Sequence, residues 1–341
     1  MSEFHVTCVR VGPLAPHPNA DRLLLAKVWD YPVCVGIDEF REGDLVVYVP
    51  VDALVPADGL RWTFLAKGQS AKAHGILGDR LYYRIRAARL RGAFSMGLLT
   101  KAPVSAVEGD DCREMLGIEK YEPPEPVSMS GEVERDPGIL PVYDVEGLRR
   151  WPSVLEPDEE VVVTEKLHGC SARFVFHNGR LFVASHTTFK RKPEEGNTGP
   201  VWWRAAEQYE LEGRLDAGTD TSVALYGEVY GPVQDLKYGT ARGALKLAIF
   251  DVLDVKERRW LDYDDAQACA VSMGIPWVPL LYRGPWSEDL RSLAEGPSTV
   301  VGADHVREGI VIRPVKERFH IGLGRVLLKL HGEGYLTRKS G

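Results

Sequence analysis

The sequence is poor in cysteine, and its cysteines lack the spacing that a disulfide framework or a zinc site requires. There are five, an odd number, with no C-x-x-C pair among them: Cys8, Cys34, Cys112, Cys170 and Cys269. Disulfide-rich domains and zinc sites use close, regular cysteine spacings. We therefore predict a reducing compartment and a cytoplasmic location.

Long apolar runs are also absent. No stretch approaches the roughly 18 uninterrupted apolar residues of a membrane-spanning helix. The opening residues MSEFHVTCVRVG lack the basic-then-apolar order of a secretory signal. We therefore predict no membrane partner. At 341 residues, 44% apolar and 27% charged, the chain has the size and composition of a protein with two separate cores.

An excess of positive charge is likewise missing, because the formal net charge is −7. This sign ordinarily counts against a nucleic-acid partner, although binding responds to local patches more than to the total. Three basic segments provide such patches: RIRAARLRG (84–92), FKRK (189–192) and KYGTARGALK (237–246). The candidate nucleic-acid contacts within them are Arg89, Arg91, Lys190 and Arg191. Ordinary solvated surface charge is the alternative for each.

A change of composition divides the chain. The segment EKYEPPEPVSMSGEVERDPGILP (119–141) is rich in Pro, Glu and Ser and has no apolar period, which is typical of a linker. We predict an N-terminal module over residues 1–120, a linker over 121–141 and a second domain over 142–341.

The N-terminal module contains short β-rich runs separated by Pro, Gly and Asp turns: FHVTCVRV, RLLLAKVW, DLVVYVPV and RLYYRIRAARL. Four or five strands in about 100 residues predict a small closed barrel, with the OB-fold as the leading candidate. Two segments, HPNADRLLLAKV (17–28) and ARLRGAFSMGLL (88–99), resemble the tRNA-binding OB modules appended to synthetases. We place the tetrapeptide KAHG (72–75) in a loop between these strands, with Lys72 as a surface lysine.

The second domain alternates strands with helical stretches. The predicted strands are EVVVTEKL, SARFVFH, RLFVASH, SVALYGEVYG, LKLAIFDVLD, EGIVIRPV and RVLLKL, and the predicted helices are VWWRAAEQYELEGRL and LDYDDAQACAVSMG. NGR at 178–180 is a tight hairpin signal. This pattern predicts an α+β domain of packed antiparallel sheets with flanking helices.

Lys166 lies where a β-branched run, EVVVTEKLHG (160–169), ends. A rigid strand would hold the lysine, and Gly169 would let a ligand approach the backbone. An ordinary lysine, with a pKa near 10.4, is a poor nucleophile at neutral pH. Lowering that pKa toward 7 requires about 4–5 kcal/mol from burial or a nearby metal ion. The end of a strand in a domain core is a place where this can happen.

Five segments follow one another in order: EKLHG (165–169), LYGEVYG (225–231), KLAIFDV (246–252), EGIVIRP (308–314) and VLLKL (326–330). The series resembles the ordered motifs of covalent nucleotidyltransferases. Its K-x-H-G form, its glutamate in the second segment and its F-D strand resemble the ATP-dependent RNA ligases that seal nicks in duplexes. The N-terminal OB-like module makes the resemblance greatest to the Deinococcus-type clade. The second domain is then expected to be an ATP-grasp-like RNA/DNA ligase domain.

The resemblance implies a nucleotide-binding role for each matched residue. Lys166 would attack the α-phosphate of ATP and form a lysyl-AMP adduct, and Glu165 would help to recognise adenine through its backbone. Phe250 would stack on the adenine, a contact worth about 1–3 kcal/mol, although core packing is the alternative for this residue taken alone. Leu167 and Gly169 complete the adenine-side set that the resemblance implies.

The phosphate and metal side follows in the same way. Glu228 would hold the ribose hydroxyl or a metal-bound water, and Glu308 would help to bind a divalent ion, Mg²⁺ or Mn²⁺, through water. Arg313 and Lys329 would neutralise the phosphates, with His331 beside them.

Several positions depart from the family pattern. Many relatives have Asp where this chain has His168, and phage nick-sealing ligases often have Asn where it has Ser171. His186 stands where a related motif often carries Arg, so Lys190 or Arg191 would replace it or contact the nucleic acid. The last motif is usually K-x-K, and His331 takes the second lysine's place, so we expect a weaker or pH-dependent phosphate contact there.

The order of the segments decides among the lysines. The KLHG at 329–332 has only residues 330–341 after its lysine, too few for the downstream motifs, so we predict that Lys166 is the nucleophile. DNA ligases and capping enzymes carry an OB domain after the last motif, whereas here the OB-like module comes first, which favours an RNA ligase. The expected partner is a nicked duplex with RNA on the 3′-hydroxyl side, bound by a monomer. A GTP-dependent capping-type nucleotidyltransferase and a non-catalytic RNA-binding protein remain as alternatives.

Overall fold

A computed structural model describes residues 4–67, 71–77, 80–122, 129–216, 223–241 and 244–338. The N-terminal module is built of short strands with one 3-10 helix (Leu60–Lys67) and one short helix, α1 (Arg113–Leu116). Its strands are β1 (Thr7–Arg10), β2 (Leu14–Pro16), β3 (Leu23–Val28), β4 (Tyr31–Gly36), β5 (Leu45–Val49), β6 (Ala53–Pro56), β7 (Ala71–Leu77), β8 (Arg80–Ile85), β9 (Ala88–Leu90), β10 (Ala93–Ser95), β11 (Leu98–Lys101) and β12 (Glu119–Lys120).

These strands form the antiparallel sheets β1-β5-β11, β2-β3-β4 and β12-β6-β8-β7 and the pair β9-β10. Alternation of side chains sends successive residues of one strand to opposite faces. In β5, Val47 and Val49 therefore enter one apolar cluster, while Val46 and Tyr48 enter another. The four predicted β-rich runs each contain observed strands.

One prediction for this module was wrong. KAHG was expected in a loop, but Lys72 lies within β7, which pairs with β8. The Gly and Ala residues that suggested a loop are accommodated by an irregularity of register between Ala73 and Gly75.

The second domain contains fourteen strands and four α-helices within the described residues. The strands are β13 (Val133–Glu134), β14 (Glu146–Gly147), β15 (Glu160–Lys166), β16 (Gly169–His177), β17 (Arg180–Ala184), β18 (Phe189–Lys190), β19 (Val223–Tyr230), β20 (Lys246–Asp254), β21 (Arg259–Trp260), β22 (Leu280–Pro285), β23 (Gly309–Pro314), β24 (Phe319–His320), β25 (Gly324–Arg325) and β26 (Leu328–His331). The helices are α2 (Val201–Gln208), α3 (Leu211–Asp216), α4 (Tyr263–Ser272) and α5 (Glu333–Leu336), and a 3-10 helix spans Glu288–Ala294.

Two sheets dominate this domain. One has the order β13-β18-β17-β16-β19-β20-β21, and the other has the order β14-β26-β23-β15-β22. All neighbours are antiparallel except β14 and β26. The predicted hairpin is confirmed between β16 and β17, where Asn178 and Gly179 take left-handed φ angles of 50° and 75°.

The segment predicted as a linker is partly attached to the larger sheet. Its strand β13 pairs with β18, and Leu140 is buried. The buried guanidinium of Arg173 donates to the carbonyl oxygens of Leu140 at 3.3 Å and Pro141 at 3.2 Å. The proline-rich residues 123–128 lie outside the described residues.

The long helix predicted over 201–215 is two helices. Glu210 adopts a φ of 51° between α2 and α3, and a left-handed residue ends a right-handed helix. Trp202 and Trp203 of α2 are both buried against the larger sheet. No helix in the described part of the chain is long and apolar enough to cross a membrane.

The turn between β3 and β4 joins the N-terminal module to the second domain. The Asp30 amide donates to the Arg149 carbonyl at 2.9 Å, and the Asp30 carboxylate accepts from the Arg291 guanidinium at 2.6 Å. The guanidinium of Arg150 lies 3.3 Å from the centre of the Trp29 ring. Farther along the interface, Arg89 pairs with Glu333 at 2.9 Å.

Candidate active site

A cleft of about 930 Å³ opens between the two sheets of the second domain and one face of the N-terminal module. Lys166 lies at its floor because it ends β15, and the chain then crosses to β16 in the other sheet. Strand β23 lies between β15 and β26, so Gly309 is opposite both Lys166 and His331. This register brings the first and last of the five sequence segments together.

Glu308 directly precedes β23 and forms an ion pair with Lys166, with Nζ to Oε1 at 2.8 Å. Burial acts to lower the pKa of Lys166, but the carboxylates of Glu308 and Glu228 outweigh it and hold that pKa above its ordinary value. Of the two causes named from the sequence, burial or a nearby metal ion, burial is therefore not sufficient to lower this pKa. A neutral amine at this position requires another positive charge to offset the two carboxylates.

Glu228 lies in the middle of β19, opposite Ser171 on β16. Burial raises its pKa to about 8, although Lys166 and the Gly169 amide act in the opposite direction. Burial also acts on Glu308, but Lys166, His168 and His331 outweigh it, and the pKa of Glu308 lies well below its ordinary value. The two carboxylates thus differ strongly in proton affinity.

A divalent cation fits the donor set of these two residues. The Oε2 atom of Glu308 is buried and has no hydrogen-bond partner within the described part of the protein. Mg²⁺ and Mn²⁺ prefer oxygen donors, and Mg²⁺ keeps several waters while bound through one or two carboxylates. No group of three or more His, Cys, Asp or Glu side chains placed to hold a metal occurs among the described residues. Glu228 and Glu308 would therefore hold the ion largely through water.

The apolar end of the cleft is formed by Leu167, Phe250 and Val278. Phe250 is half-buried, and its ring centre lies 4.8 Å from that of Tyr143. Leu167 is buried and packs in the same cluster as Val278. Phe250 therefore combines core packing with an exposed edge in the cleft.

The side chain of Glu165 is fully engaged away from the cleft floor. Its carboxylate accepts hydrogen bonds from the Ser298 hydroxyl at 2.5 Å and from the Thr299 amide at 2.7 Å. The Glu165 amide donates to the Pro279 carbonyl oxygen at 2.9 Å. The adenine contact that the resemblance implies for the Glu165 backbone stays a prediction.

Strand packing requires glycine at Gly169, a reason that the sequence did not indicate. A Cβ atom there would lie 2.2 Å from the Val229 carbonyl oxygen and 2.9 Å from the Tyr230 Cβ. The missing side chain therefore allows β16 and β19 to approach each other. Gly169 is not among the residues that line the cleft, and the ligand approach predicted at this glycine stays a prediction.

Arg313 reaches the cleft wall but is only 4% exposed, and its charge is already offset. Its guanidinium lies 3.1 Å from the Asp251 carboxylate and also pairs with Glu317. Asp251, fully buried, pairs in turn with Arg325 at 2.6 Å. The structure therefore places Arg313 in a buried ionic network and gives no support to its predicted phosphate contact.

Lys329 and His331 point into the cleft from β26. Burial lowers the pKa of Lys329, and the neighbouring charge of Lys166 adds to this effect. Burial also lowers the pKa of His331 from its usual 6.5, against the opposing influence of Glu308. His331 is therefore mainly uncharged at neutral pH in the ligand-free protein, and Lys329 remains as the cation of this strand.

The comparison with known proteins agrees with this geometry. A family model described as RNA ligase matches residues 159–331, and a model described as an OB-fold domain matches residues 5–102. The chain belongs to the RNA ligase family. It is thus an RNA ligase, a covalent nucleotidyltransferase, and its predicted fold class, an OB-like barrel followed by a ligase domain of antiparallel sheets, is confirmed. No curated protein matches the sequence.

Solved structures of an RNA ligase from Naegleria gruberi are similar to nearly the whole chain. A variant without ligand is 25% identical over 97% of this chain and 96% of that one, with a TM-score of 0.82. A variant with ATP and manganese is 24% identical over 98% of both chains, with a TM-score of 0.85. The same ligase with pyrophosphate is 24% identical over 98% of both chains, with a TM-score of 0.83.

The predicted nucleic-acid contacts of the ligase lie in different surroundings. Lys190 is only 4% exposed, and its ammonium group lies 5.0 Å from the Trp202 ring centre. Its predicted contact with nucleic acid is therefore not part of the proposed function. Arg191 is exposed and pairs with Glu132 at 2.7 Å. Arg91 is exposed, and Arg89 bridges to Glu333. The contacts predicted for Arg89, Arg91 and Arg191 stay predictions.

Besides His331, the three other positions that depart from the family pattern also lie near the cleft. Ser171 and His186 line it. His168 lies beside Glu308, with Nδ1 to Oε2 at 3.6 Å, and is hydrogen bonded to residues outside the five segments.

Sequence reasoning missed several cleft residues of the ligase. Arg149 and Arg150 line the cleft near the N-terminal module, together with Trp29 and Tyr31 of that module. The adjacent arginines in GLRRW (147–151) were the available signal, but they lie outside the five segments. The aromatic residues gave none, since their place in the cleft depends on how the two domains pack.

Proposed function

We propose that this RNA ligase is ATP-dependent and seals 3′-hydroxyl/5′-phosphate nicks in RNA-containing duplexes through a lysyl-AMP intermediate. The observation that carries the proposal is the position of Lys166 at the cleft floor, 2.8 Å from Glu308. Glu228, Phe250 and Lys329 line the same cleft. The structure of a Naegleria gruberi RNA ligase variant with ATP and manganese supports this nucleotide.

In the first step, the Lys166 Nζ attacks the α-phosphorus of ATP, a P–N bond forms, and pyrophosphate leaves. Phe250 and the Glu165 backbone would orient the adenosine, and Lys329 would neutralise developing phosphate charge. A bound Mg²⁺ or Mn²⁺, held through water by Glu228 and Glu308, would supply the positive charge that favours the neutral amine and stabilises the phosphates. Lys166 must release its proton before it attacks.

The next two steps use the same residues. The 5′-phosphate of the nick attacks the adenylate, the P–N bond breaks, and Lys166 is restored as AMP passes to the RNA or DNA end. The neighbouring 3′-hydroxyl then attacks the adenylylated phosphate, and AMP leaves as the phosphodiester forms. Both are in-line transfers that depend on alignment and charge neutralisation.

We further propose RNA on the 3′-hydroxyl side, because 2′-hydroxyl groups and A-form shape are the features that distinguish RNA from DNA. The N-terminal module would hold the flanking duplex through Arg89 and Arg91. We retain the monomeric state, the cytoplasmic location and the Deinococcus-type clade as parts of this proposal.

A covalent labelling experiment tests the lysyl-AMP step. The protein is incubated with ATP labelled at the α-phosphate and with Mg²⁺ or Mn²⁺, and the label is followed on a denaturing gel. We expect label on the wild type, none on Lys166→Ala, and full label on Lys256→Ala, a matched control at an exposed lysine. Label from GTP alone would instead indicate a capping-type enzyme, and no label from either nucleotide contradicts the proposal.

A sealing assay tests the substrate. Nicked duplexes are prepared with RNA or DNA independently on the 3′-hydroxyl strand, the 5′-phosphate strand and the template. We expect sealing to depend on RNA at the 3′-hydroxyl side, and equal rates with DNA there would overturn this part of the proposal.

A further inference from the structure

His168 is held by hydrogen bonds on both edges of its ring, and its side chain is only 11% exposed. Its Nε2 atom lies 2.6 Å from the Asp235 carboxylate. Its Nδ1 atom lies 3.0 Å from the Tyr335 hydroxyl and 3.6 Å from the unpartnered Oε2 of Glu308. The histidine thus lies between Asp235 and Glu308, of which Glu308 lines the cleft.

The contact with Asp235 places a hydrogen on Nε2 of His168. An ionised carboxylate only accepts hydrogen bonds, so Nε2 must be the donor. Partial burial would raise the pKa of Asp235, but hydrogen bonds from Arg338 and His168 outweigh it and keep that pKa below its ordinary value. Asp235 is therefore ionised at neutral pH, and Nδ1 faces Tyr335 and Glu308.

Asp235 is itself fixed from the opposite side. The Arg338 guanidinium donates to its second oxygen at 2.9 Å and lies 3.6 Å from the centre of the Tyr335 ring. Asp235, Arg338, Tyr335 and His168 therefore form a closed ring of contacts between the loop after β19 and the segment around α5. None of the first three belongs to the five sequence segments.

We propose that Asp235 is a positioning residue of the ligase, which holds the His168 ring with Nε2 protonated and Nδ1 directed to the Glu308 side of the cleft. The role in ligation rests on the proposed function, but the orientation of the ring does not. A bond to an ionised acceptor is stronger than one to a neutral group and fixes direction. Removal of Asp235 would leave the ring free to turn or to change tautomer.

The alternative is that Asp235 only anchors Arg338 and the end of the chain. Matched variants of Asp235 and Arg338 separate these roles. Asp235→Ala removes the contacts with both His168 and Arg338, whereas Arg338→Ala removes the ion pair and leaves the His168 contact. Asp235→Asn keeps an acceptor oxygen for Nε2 and has nearly the same shape.

The first test is kinetic and uses the full-length protein with ATP, Mg²⁺ and a nicked duplex. We expect Asp235→Ala to lower the single-turnover rate by roughly tenfold, the effect of losing a charge-assisted hydrogen bond, with the KM for ATP unchanged. Asp235→Asn should recover most of the rate, and Arg338→Ala should lose much less. In a His168→Ala background, Asp235→Ala should have no further effect. Equal losses for Asp235→Ala and Arg338→Ala, or additive losses with His168→Ala, overturn the positioning role.

The second test is independent of activity. Long-range proton–nitrogen NMR spectra, assigned with the His168→Ala variant, report which ring nitrogen of His168 carries hydrogen. We expect a persistent hydrogen on Nε2 with fixed ring signals in the wild type, and averaged ring signals in Asp235→Ala. Unchanged signals in that variant overturn the proposal even if the protein seals no nick, and the lysyl-AMP gel reports separately on the proposed function.

Discussion

Three ionisable side chains share the floor of the cleft, and their proton affinities are coupled. Lys166 is raised in pKa by Glu228 and Glu308, while its own charge acts to lower the pKa of both carboxyl groups. Burial acts to raise the pKa of both acids. At Glu308, three cationic or hydrogen-bonding neighbours outweigh this effect, whereas Glu228 is mainly desolvated, so the two pKa values differ. A cluster arranged in this way is poised to respond to a phosphate or a cation.

The raised pKa of Glu228 predicts a pH dependence of stability. Between pH 4.5, the ordinary value, and about pH 8, the folded protein binds a proton at Glu228 that the unfolded chain has released. The free energy of unfolding should therefore fall as pH rises through this window, by at most about 1.4 kcal/mol per pH unit from this group. Glu228→Gln removes the effect, so the free energy of unfolding of the variant should rise relative to that of the wild type as pH rises.

Urea unfolding of the two proteins from pH 4.5 to 8.5, with EDTA present to remove divalent ions, measures this difference. Glu257→Gln, at an exposed carboxyl group, serves as the control. Parallel stability curves for the wild type and Glu228→Gln contradict the prediction.

At the scale of single residues, the sequence predicts the site residues that stand out in a local pattern and misses those that do not. Lys166, Glu228 and Glu308 are charged residues in or beside apolar strands, a pattern that indicates a site. Asp235 and Tyr335 lie 67 and 167 residues from His168 in loop and helix segments with no pattern of their own. Their contacts depend on the packing of the chain ends around the cleft, which no local pattern encodes.

At the scale of elements, the predicted strands are confirmed where β-branched runs end at clear turn residues, as in β15 and in the hairpin of β16 and β17. The failures share one cause, since contacts from other parts of the chain outweigh local preference. The helix over 201–215 is divided at Glu210, and β7 forms from residues that suggest a loop because β8 pairs with it. Gly169 is required by the neighbouring strand, which its local sequence did not indicate.

Gly169→Ala tests this account of strand packing. Its new Cβ would meet the Val229 carbonyl oxygen at 2.2 Å, and backbone atoms cannot give way as a flexible side chain can. We expect a loss of roughly 2–4 kcal/mol in the free energy of unfolding, because overpacking of rigid groups typically costs 1–3 kcal/mol or more. Gly213→Ala in α3, where nothing lies within 4 Å of the new Cβ, should be neutral or stabilising. Similar urea midpoints for the two variants would falsify this explanation of Gly169.

At the scale of the whole molecule, the cleft is completed by both domains. The N-terminal module contributes Trp29, Tyr31 and Tyr48 to its lining, and the second domain contributes Lys166 and its partners. The turn with Asp30 joins them, since its side chain and backbone both contact the second domain. The sequence indicated two domains but carried no signal for this junction, because ion pairs across domains depend on docking geometry. If the N-terminal module holds the duplex as proposed, this interface couples nucleotide chemistry to duplex binding.

Asp30→Ala should weaken that coupling. The Asp30 carboxylate lies 2.6 Å from Arg291 and 3.6 Å from Arg149, and all three side chains are less than one-fifth exposed. Its loss leaves two arginines without their shared partner, which we expect to lower the free energy of domain docking by about 1–3 kcal/mol. Calorimetry of the full-length protein should then show the N-terminal module melting before the second domain, whereas the wild type should melt more cooperatively.

The exposed Asp38, in the same module, provides the matched control, and Asp38→Ala should leave the melting profile unchanged. The same separation should appear as a slower single-turnover sealing rate on a nicked duplex, with lysyl-AMP formation less affected, if the module holds the duplex as proposed. An unchanged melting profile for Asp30→Ala rules out this junction as the source of cooperativity. If the melting profile shifts but sealing is normal, Asp30 contributes only to stability, and residues of the second domain hold the duplex.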